Sequence, residues 1–321
     1  MIAVPTPRGL SLRISVTDRC QLRCRYCMPP EGIPLCGREA ILTYEDIVAL
    51  VVCLRDEFGL AKVRITGGEP LVRPGIERLI GRLTDLGIPD LALTTNGLRL
   101  AELAPVLKQA GLRRVNVSLD SLSPETFRRL TGGGDLQAVQ AGIVAALDAG
   151  LRPVKLNAVL IRGINDAEAD HLLDFAIDHD CELRFIELMP IGPGARLLPD
   201  GFLSSDAVRR RLGAHFTLTP IASETGSSAR RYGVVNTEGK RGAVGFISSC
   251  SAPFCAECSR LRVTADGRLI GCLARDGGIP IRGMLRAGDA KAIGRSTRQV
   301  LKGKTADRNF EQRMAMASIG G

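Results

Sequence analysis

Tryptophan is absent from this 321-residue chain, and aromatic residues make up only 4% of it. A binder of single-stranded nucleic acid needs aromatic faces on which bases stack. The scarcity argues against that class even though the net charge is +9. No apolar run approaches the roughly 20 residues that cross a bilayer, so no membrane span is expected. The opening stretch MIAVPTPRGLSLRIS lacks the charged and apolar regions of an export signal. A cytoplasmic location is therefore expected, and in that reducing compartment thiols stay free.

Cysteine, by contrast, is plentiful, with ten in the chain. A disulfide framework is a poor explanation in a long cytosolic chain, which leaves metal or redox use. Two groups stand out. Cys20, Cys24 and Cys27 lie in DRCQLRCRYCMPP, and Cys255, Cys258 and Cys272 lie in PFCAECSRLRVTADGRLIGC. Each supplies three thiols. A structural zinc site wants four ligands, usually as two close pairs. A 4Fe–4S cluster held by three thiolates keeps one iron open to a ligand. Cys36 and Cys250 are the candidate fourth ligands of closed sites, and that alternative stays open on spacing alone. Cys36, Cys53 and Cys181 otherwise read as small buried hydrophobes.

From about residue 11 to 190, short apolar runs alternate with helical patterns. LRISV, KVRIT, LALTT, RVNVSLD, VKLNAVLI and ELRFIEL read as strands. TYEDIVALVVCLRDEFG reads as a helix capped by Thr43 and closed by Gly59. Alternating strands and helices predict a parallel sheet with right-handed crossovers. Six such units suit a partial (β/α)6 TIM-like barrel. Chemistry in such folds gathers at the carboxyl ends of the strands, where the first cysteines, GGEP, TTNG, SLD and MP all fall. The alternation stops near residue 190, and MPIGPGARLLPDG reads as a Gly/Pro-rich connection. Two regions are expected, a barrel over 1–190 and a C-terminal region over 191–321.

Cations also fall on the strands: Arg13, Lys62, Arg64, Lys155 and Arg184. In SRLR, Arg260 and Arg262 point the same way if extended. Cations turned into a barrel are costly unless something anionic sits there, and forked guanidinium contacts suit phosphate oxygens. A triphosphate is the economical occupant. A solvated strand face is the bland alternative for paired arginines, and a frayed end is the bland reading of the terminal IGG.

The C-x3-C-x2-C run after the first strand, with GGEP after the second, resembles the radical S-adenosylmethionine superfamily. The second three-cysteine group, the CSRLRVTADG run and the terminal Gly-Gly resemble the GTP 3′,8-cyclases of molybdenum cofactor biosynthesis, nearly over the full chain. That resemblance implies two 4Fe–4S clusters, on Cys20, Cys24 and Cys27 and on Cys255, Cys258 and Cys272. It implies S-adenosylmethionine contacts at Tyr26, Gly68, Ser118 and Met189. It implies GTP contacts at Arg13, Arg64, Thr94, Lys155, Arg260, Leu261 and Arg262, and a catalytic role for Arg13, Arg260, Arg262, Gly320 and Gly321. The implied reaction is reductive cleavage of S-adenosylmethionine, hydrogen abstraction at the ribose 3′ carbon of GTP, and ring closure at guanine carbon 8. The implied partners are a reductant such as flavodoxin or ferredoxin and the downstream cyclic pyranopterin monophosphate synthase; a homodimer is allowed.

The chain departs from the family pattern at Ser259, in KGKTADRNF, in MAMASIGG and at Cys250. The competing readings are a paralogous radical enzyme with an auxiliary cluster that acts on a peptide, and a zinc protein that binds nucleic acid.

Overall fold

The computed structural model describes residues 9–222, 227–255, 258–304, 310–312 and 314–320. Six parallel strands follow the predicted runs: β1 (Leu10–Ser15), β2 (Leu60–Thr66), β3 (Asp90–Thr95), β4 (Arg114–Ser118), β5 (Lys155–Val159) and β6 (Glu182–Ile186). They pair in chain order, which is the partial barrel expected.

Among the described residues, six more strands come from the C-terminal region: β7 (Thr217–Ile221), β8 (Arg230–Val235), β9 (Arg241–Ile247), β10 (Arg260–Val263), β11 (Arg268–Ile270) and β12 (Ile279–Pro280). They extend the sheet at both edges. β9 runs parallel to β6, and β10 runs parallel to β1. Antiparallel neighbours β8 and β7 continue one side, and β11 and β12 the other. The C-terminal region therefore clasps the barrel from two sides and brings Arg260 and Arg262 directly beside Ser11 and Arg13.

The first crossover helix, Tyr44–Phe58, forms for the reasons its sequence gives. Thr43 and Asp46 make a reciprocal capping box, and Gly59 ends the helix in the left-handed region at φ 63°. Ile47, Leu50, Val51 and Leu54 recur at helical spacing and are buried.

Two helices depart from expectation. Pro124–Thr131, capped by Ser123, falls between two predicted elements. Gly194–Gly201 forms inside the supposed Gly/Pro-rich connection, with Pro199 within it. Packing decides there: a Cβ on Gly194 would sit 2.5 Å from the Met189 carbonyl, so the turn forms against the site. Among the described residues, no helix is long and apolar enough to cross a membrane.

Candidate active site

The loop after β1 is fixed from three directions. The Cys24 carbonyl accepts from the backbone of Cys27 at 2.8 Å and of Met28 at 2.9 Å. Arg23 and Arg25 donate backbone hydrogens to Thr131 and Leu130, at 2.8 and 2.9 Å, at the end of the Pro124–Thr131 helix. The Tyr26 hydroxyl donates to Asp120 Oδ2 at 2.7 Å, and Asp120 Oδ1 accepts from the Val159 backbone at 2.8 Å. Burial pushes Asp120 up to about 6, partly opposed by those two hydrogen bonds.

GGEP braces the same loop. Gly68 and Glu69 donate backbone hydrogens to Thr17 and Arg19 at 2.7 and 2.8 Å. A Cβ on Gly68 would lie 2.4 Å from the Arg19 carbonyl, so only glycine lets the two loops meet. Glu69 accepts from Leu71, Thr95 and Asn96 at 3.0, 2.7 and 2.6 Å, joining the ends of β2 and β3. It is 1% exposed, and burial raises it to about 7 against those hydrogen bonds.

Cys20, Cys24 and Cys27 all line one cavity with Cys255, Cys258 and Cys272. It holds about 340 Å³ of free space. In the first group, burial raises all three thiols, Cys27 to about 12, and neighbouring thiols add to the rise at Cys24 and Cys27. Bound cationic iron reverses that balance, because the coordinating species is the thiolate. Each group brings three cysteines to the wall of one cavity, a donor set whose chemistry fits a 4Fe–4S cluster.

In the second group, Cys258 donates its backbone hydrogen to the Cys255 carbonyl at 3.2 Å. Burial opposes a thiolate at Cys258, but Arg260 and Lys304 outweigh it and bring the thiol down to about 7. Burial raises Cys255, and Cys272 and Cys258 add to the rise.

Neither candidate fourth cysteine lines this cavity. The Cys250 thiol donates to the Leu188 carbonyl at 3.4 Å, and its backbone donates to Glu187 at 2.9 Å. The Cys36 backbone donates to Asp18 at 2.6 Å. Cys36 and Cys53 are both partly exposed, so their reading as buried hydrophobes is corrected, although Cys53 packs against the core; Cys181 is buried.

Between the two cysteine groups the wall is cationic. Arg13, Arg64, Arg184, Arg260 and Arg262 line the cavity. Arg13 is driven well below the usual guanidinium range by burial and then by Arg262, Arg260, Arg64 and Arg184. Burial and Arg260 bring Arg262 down to about 10. Arg64 is paired with Asp90 at 2.7 Å and Arg184 with Glu182 at 2.8 Å. Among the described residues, no carboxylate forms an ion pair with Arg13, Arg260 or Arg262. Arg260 instead covers the Phe254 ring at 4.6 Å.

Tyr26, Gly68, Thr94, Ser118 and Met189 also line the cavity. Two expected contacts do not bring their side chains there. Leu261 is turned into the core, as alternation along β10 requires. Lys155 lies at the start of β5 and pairs with Glu182 at 3.6 Å, with both nearly inaccessible. Lys155 thus has a carboxylate partner within the chain.

The chain end returns to this place. The short helix Met316–Ile319 packs with Ile191 and Ile270, flanked by Cys27 and Met189. Gly320 follows at φ 74°, where a Cβ would lie 3.1 Å from both Ser15 and Thr66. Gly320 is therefore not a frayed end but sits at the mouth of β1 and β2; Gly321 lies outside the described residues.

The Radical SAM superfamily model matches residues 14–176, and the Molybdenum Cofactor Synthesis C model matches residues 181–310. A GTP 3′,8-cyclase of Peptoclostridium acidaminophilum is 48% identical over 87% of this chain and 84% of its own. One of Moorella thermoacetica is 44% identical over 97% of each chain. The chain belongs to the GTP 3′,8-cyclase family. It is built as a radical S-adenosylmethionine enzyme, a class that uses S-adenosylmethionine and, in this family, two 4Fe–4S clusters.

Streptococcus suis SuiB bound to precursor peptide SuiA superposes with a TM-score of 0.66 at 14% identity, over 93% of this chain and 67% of that one. SuiB bound to S-adenosylmethionine gives 0.61 at 16% identity, and this chain spans 65% of its length. That likeness concerns the fold alone.

Several side chains of this GTP 3′,8-cyclase family site escaped the sequence reading. Asp120 was visible only as part of SLD. Asn116 and Asn157 line the cavity, and each has a buried side-chain oxygen without a hydrogen-bond partner among the described residues. The signal for them was an Asn at the inward position of an apolar strand, in RVNVS and KLNAV. Glu187 joins Ser205, Cys250 and Ser251, a loop-anchoring role that spacing cannot reveal.

Proposed function

We propose that the cavity between the two cysteine groups is where this chain converts GTP to (8S)-3′,8-cyclo-7,8-dihydroguanosine 5′-triphosphate, the first step of molybdenum cofactor biosynthesis. The observation that carries the reading is the arginine wall: five guanidiniums between two three-thiol groups, of which Arg13, Arg260 and Arg262 have no paired carboxylate among the described residues. Such a wall favours a polyanion of nucleotide size over a peptide.

Cys20, Cys24 and Cys27 would hold the first cluster and Cys255, Cys258 and Cys272 the second. With S-adenosylmethionine bound, the first cluster supplies one-electron reductive cleavage and so the hydrogen abstraction that starts the reaction. Everything else is positioning. Tyr26, tied to Asp120, Gly68 in the brace, Ser118 and Met189 would bound the cosubstrate. Arg13, Arg64, Thr94, Arg260 and Arg262 would hold the triphosphate, so that the ribose 3′ hydrogen alone lies within reach. Lys155 and Leu261 would contribute through the strands that carry them. Gly320 and Gly321 would close the mouth without adding bulk. The division at 190 then separates the cosubstrate side from the second-cluster side. A cytoplasmic setting, a flavodoxin or ferredoxin as reductant, transfer of product to cyclic pyranopterin monophosphate synthase, and a homodimer complete the proposal.

The test is anaerobic reconstitution followed by dithionite, S-adenosylmethionine and GTP. About eight iron per chain, as two cubanes, with both 5′-deoxyadenosine and cyclised GTP, is the expected result. Eight iron with 5′-deoxyadenosine and unchanged GTP would discard the substrate.

A further inference from the structure

The helix Ala290–Lys302 ends at Gly303, and the next residue, Lys304, turns inward. Its ammonium donates to the Arg260 carbonyl at 2.7 Å, the Gly271 carbonyl at 2.7 Å and the Cys258 sulfur at 3.6 Å. An ammonium has three hydrogens, and here each has an acceptor. The two carbonyls belong to β10 and to the residue before Cys272, so the lysine bridges both arms that carry the second thiol group. The approach is close: a Cβ on Gly271 would lie 2.9 Å from Val300 and 3.4 Å from the Lys304 side chain.

Lys304 lies 46 residues from Cys258, in the KGKTADRNF segment that sequence reading marked only as atypical. Nothing in the spacing links it to a cysteine. Hydrogen bonds to ligand sulfurs and nearby charge set the potential of an iron–sulfur cluster. A cation held on one ligand favours the state with the extra electron.

We propose that Lys304 is a positioning residue that sets the reduction potential of the second cluster by donating a charged hydrogen bond to the Cys258 thiolate. This rests on the assignment of Cys255, Cys258 and Cys272 as cluster ligands. Arg260 lines the cavity and its side chain also hydrogen-bonds Cys258, whereas Lys304 does not line the cavity and has an acceptor for each of its three hydrogens. Arg260 can therefore meet both the nucleotide and the Cys258 sulfur, whereas Lys304 acts on the cluster side alone.

The experiment uses the full chain with Cys20, Cys24 and Cys27 replaced by serine, so that only the second site holds iron. Absence of iron in this background would remove the ligand assignment itself, separately from the role of Lys304. With about four iron retained, a mediated redox titration read by electron paramagnetic resonance compares Lys304 with Lys304→Met. Loss of the cation is expected to disfavour reduction by at least tenfold, about 59 mV to lower potential for one electron. If Lys304→Met fails to load, Lys304→Gln is read in its place, since its amide still donates to a carbonyl, and the same direction is expected. An unchanged potential in a loaded variant overturns the proposal. Failure of both variants to load also overturns it, and assigns Lys304 to holding the fold.

Discussion

Arg262, on β10, donates to the carbonyl of Gly320, so the second cysteine arm and the chain end meet inside the mouth of the barrel. Gly320 holds a left-handed φ of 74° with Ser15 and Thr66 3.1 Å from any added Cβ. Gly320→Ala therefore meets both backbone strain and crowding. The expected outcome is loss of GTP cyclisation by about 100-fold, the scale of a small misplacement near the reacting atoms. Iron content should stay that of the parent. Full turnover in Gly320→Ala would mean that the tail is packing and nothing more.

Arg13 predicts opposite effects on stability and on binding. Its guanidinium is buried against four others, which costs the empty protein stability. Arg13→Met removes that repulsion and keeps much of the volume. Thermal unfolding without nucleotide should move up or stay level, while GTP affinity measured by calorimetry should fall at least tenfold, about 1.4 kcal/mol. A variant that unfolds earlier and binds GTP as before would count against the anionic occupant.

These two residues show how unevenly the sequence could be read. Strand positions were legible because β2, β3 and β6 are apolar runs bounded by turns, and Thr43 and Gly59 announced their helix through capping chemistry. The grouping of Cys20, Cys24 and Cys27 in one cavity wall was legible because their spacing is local. The partner of Lys155 was not legible, because alternation gives the face of a strand and not the depth along it; at the start of β5 it pairs with Glu182. Leu261 turns its side chain into the core, as alternation between its arginine neighbours requires. Asp120, Glu187 and Lys304 were illegible as partners because each acts across tens of residues, through contacts that only the folded sheet creates.

The Tyr26–Asp120 bond ties the first cysteine loop to the end of β4 at 2.7 Å. Tyr26→Phe keeps the ring and deletes that donor, leaving a buried carboxyl one partner short. A loss of about 1–3 kcal/mol follows for an unsatisfied buried acceptor. Since the bond holds only the first loop, iron should leave the first site sooner under chelator challenge, while the second site retains its share. Equal loss from both sites would show that the bond stabilises the whole barrel, not the loop.

Glu69 gives a pH signature. Its carboxyl is raised to about 7 by burial, despite three hydrogen bonds. A raised carboxyl binds its proton more tightly in the folded state, so its contribution to stability is complete below the unfolded value of about 4.3. That contribution is lost as pH rises through about 7. Glu69→Gln cannot ionise and should lack this loss. Urea unfolding of the metal-free protein at pH 5 and pH 8 measures it: the advantage of the parent over Glu69→Gln should shrink at pH 8 by up to roughly 3 kcal/mol. The constant part of the difference reflects the acceptor that the amide replaces beside Asn96, and only the change with pH reports the charge. A difference that stays flat or grows with pH would place the Glu69 titration below the measured window and leave the buried carboxylate ionised throughout.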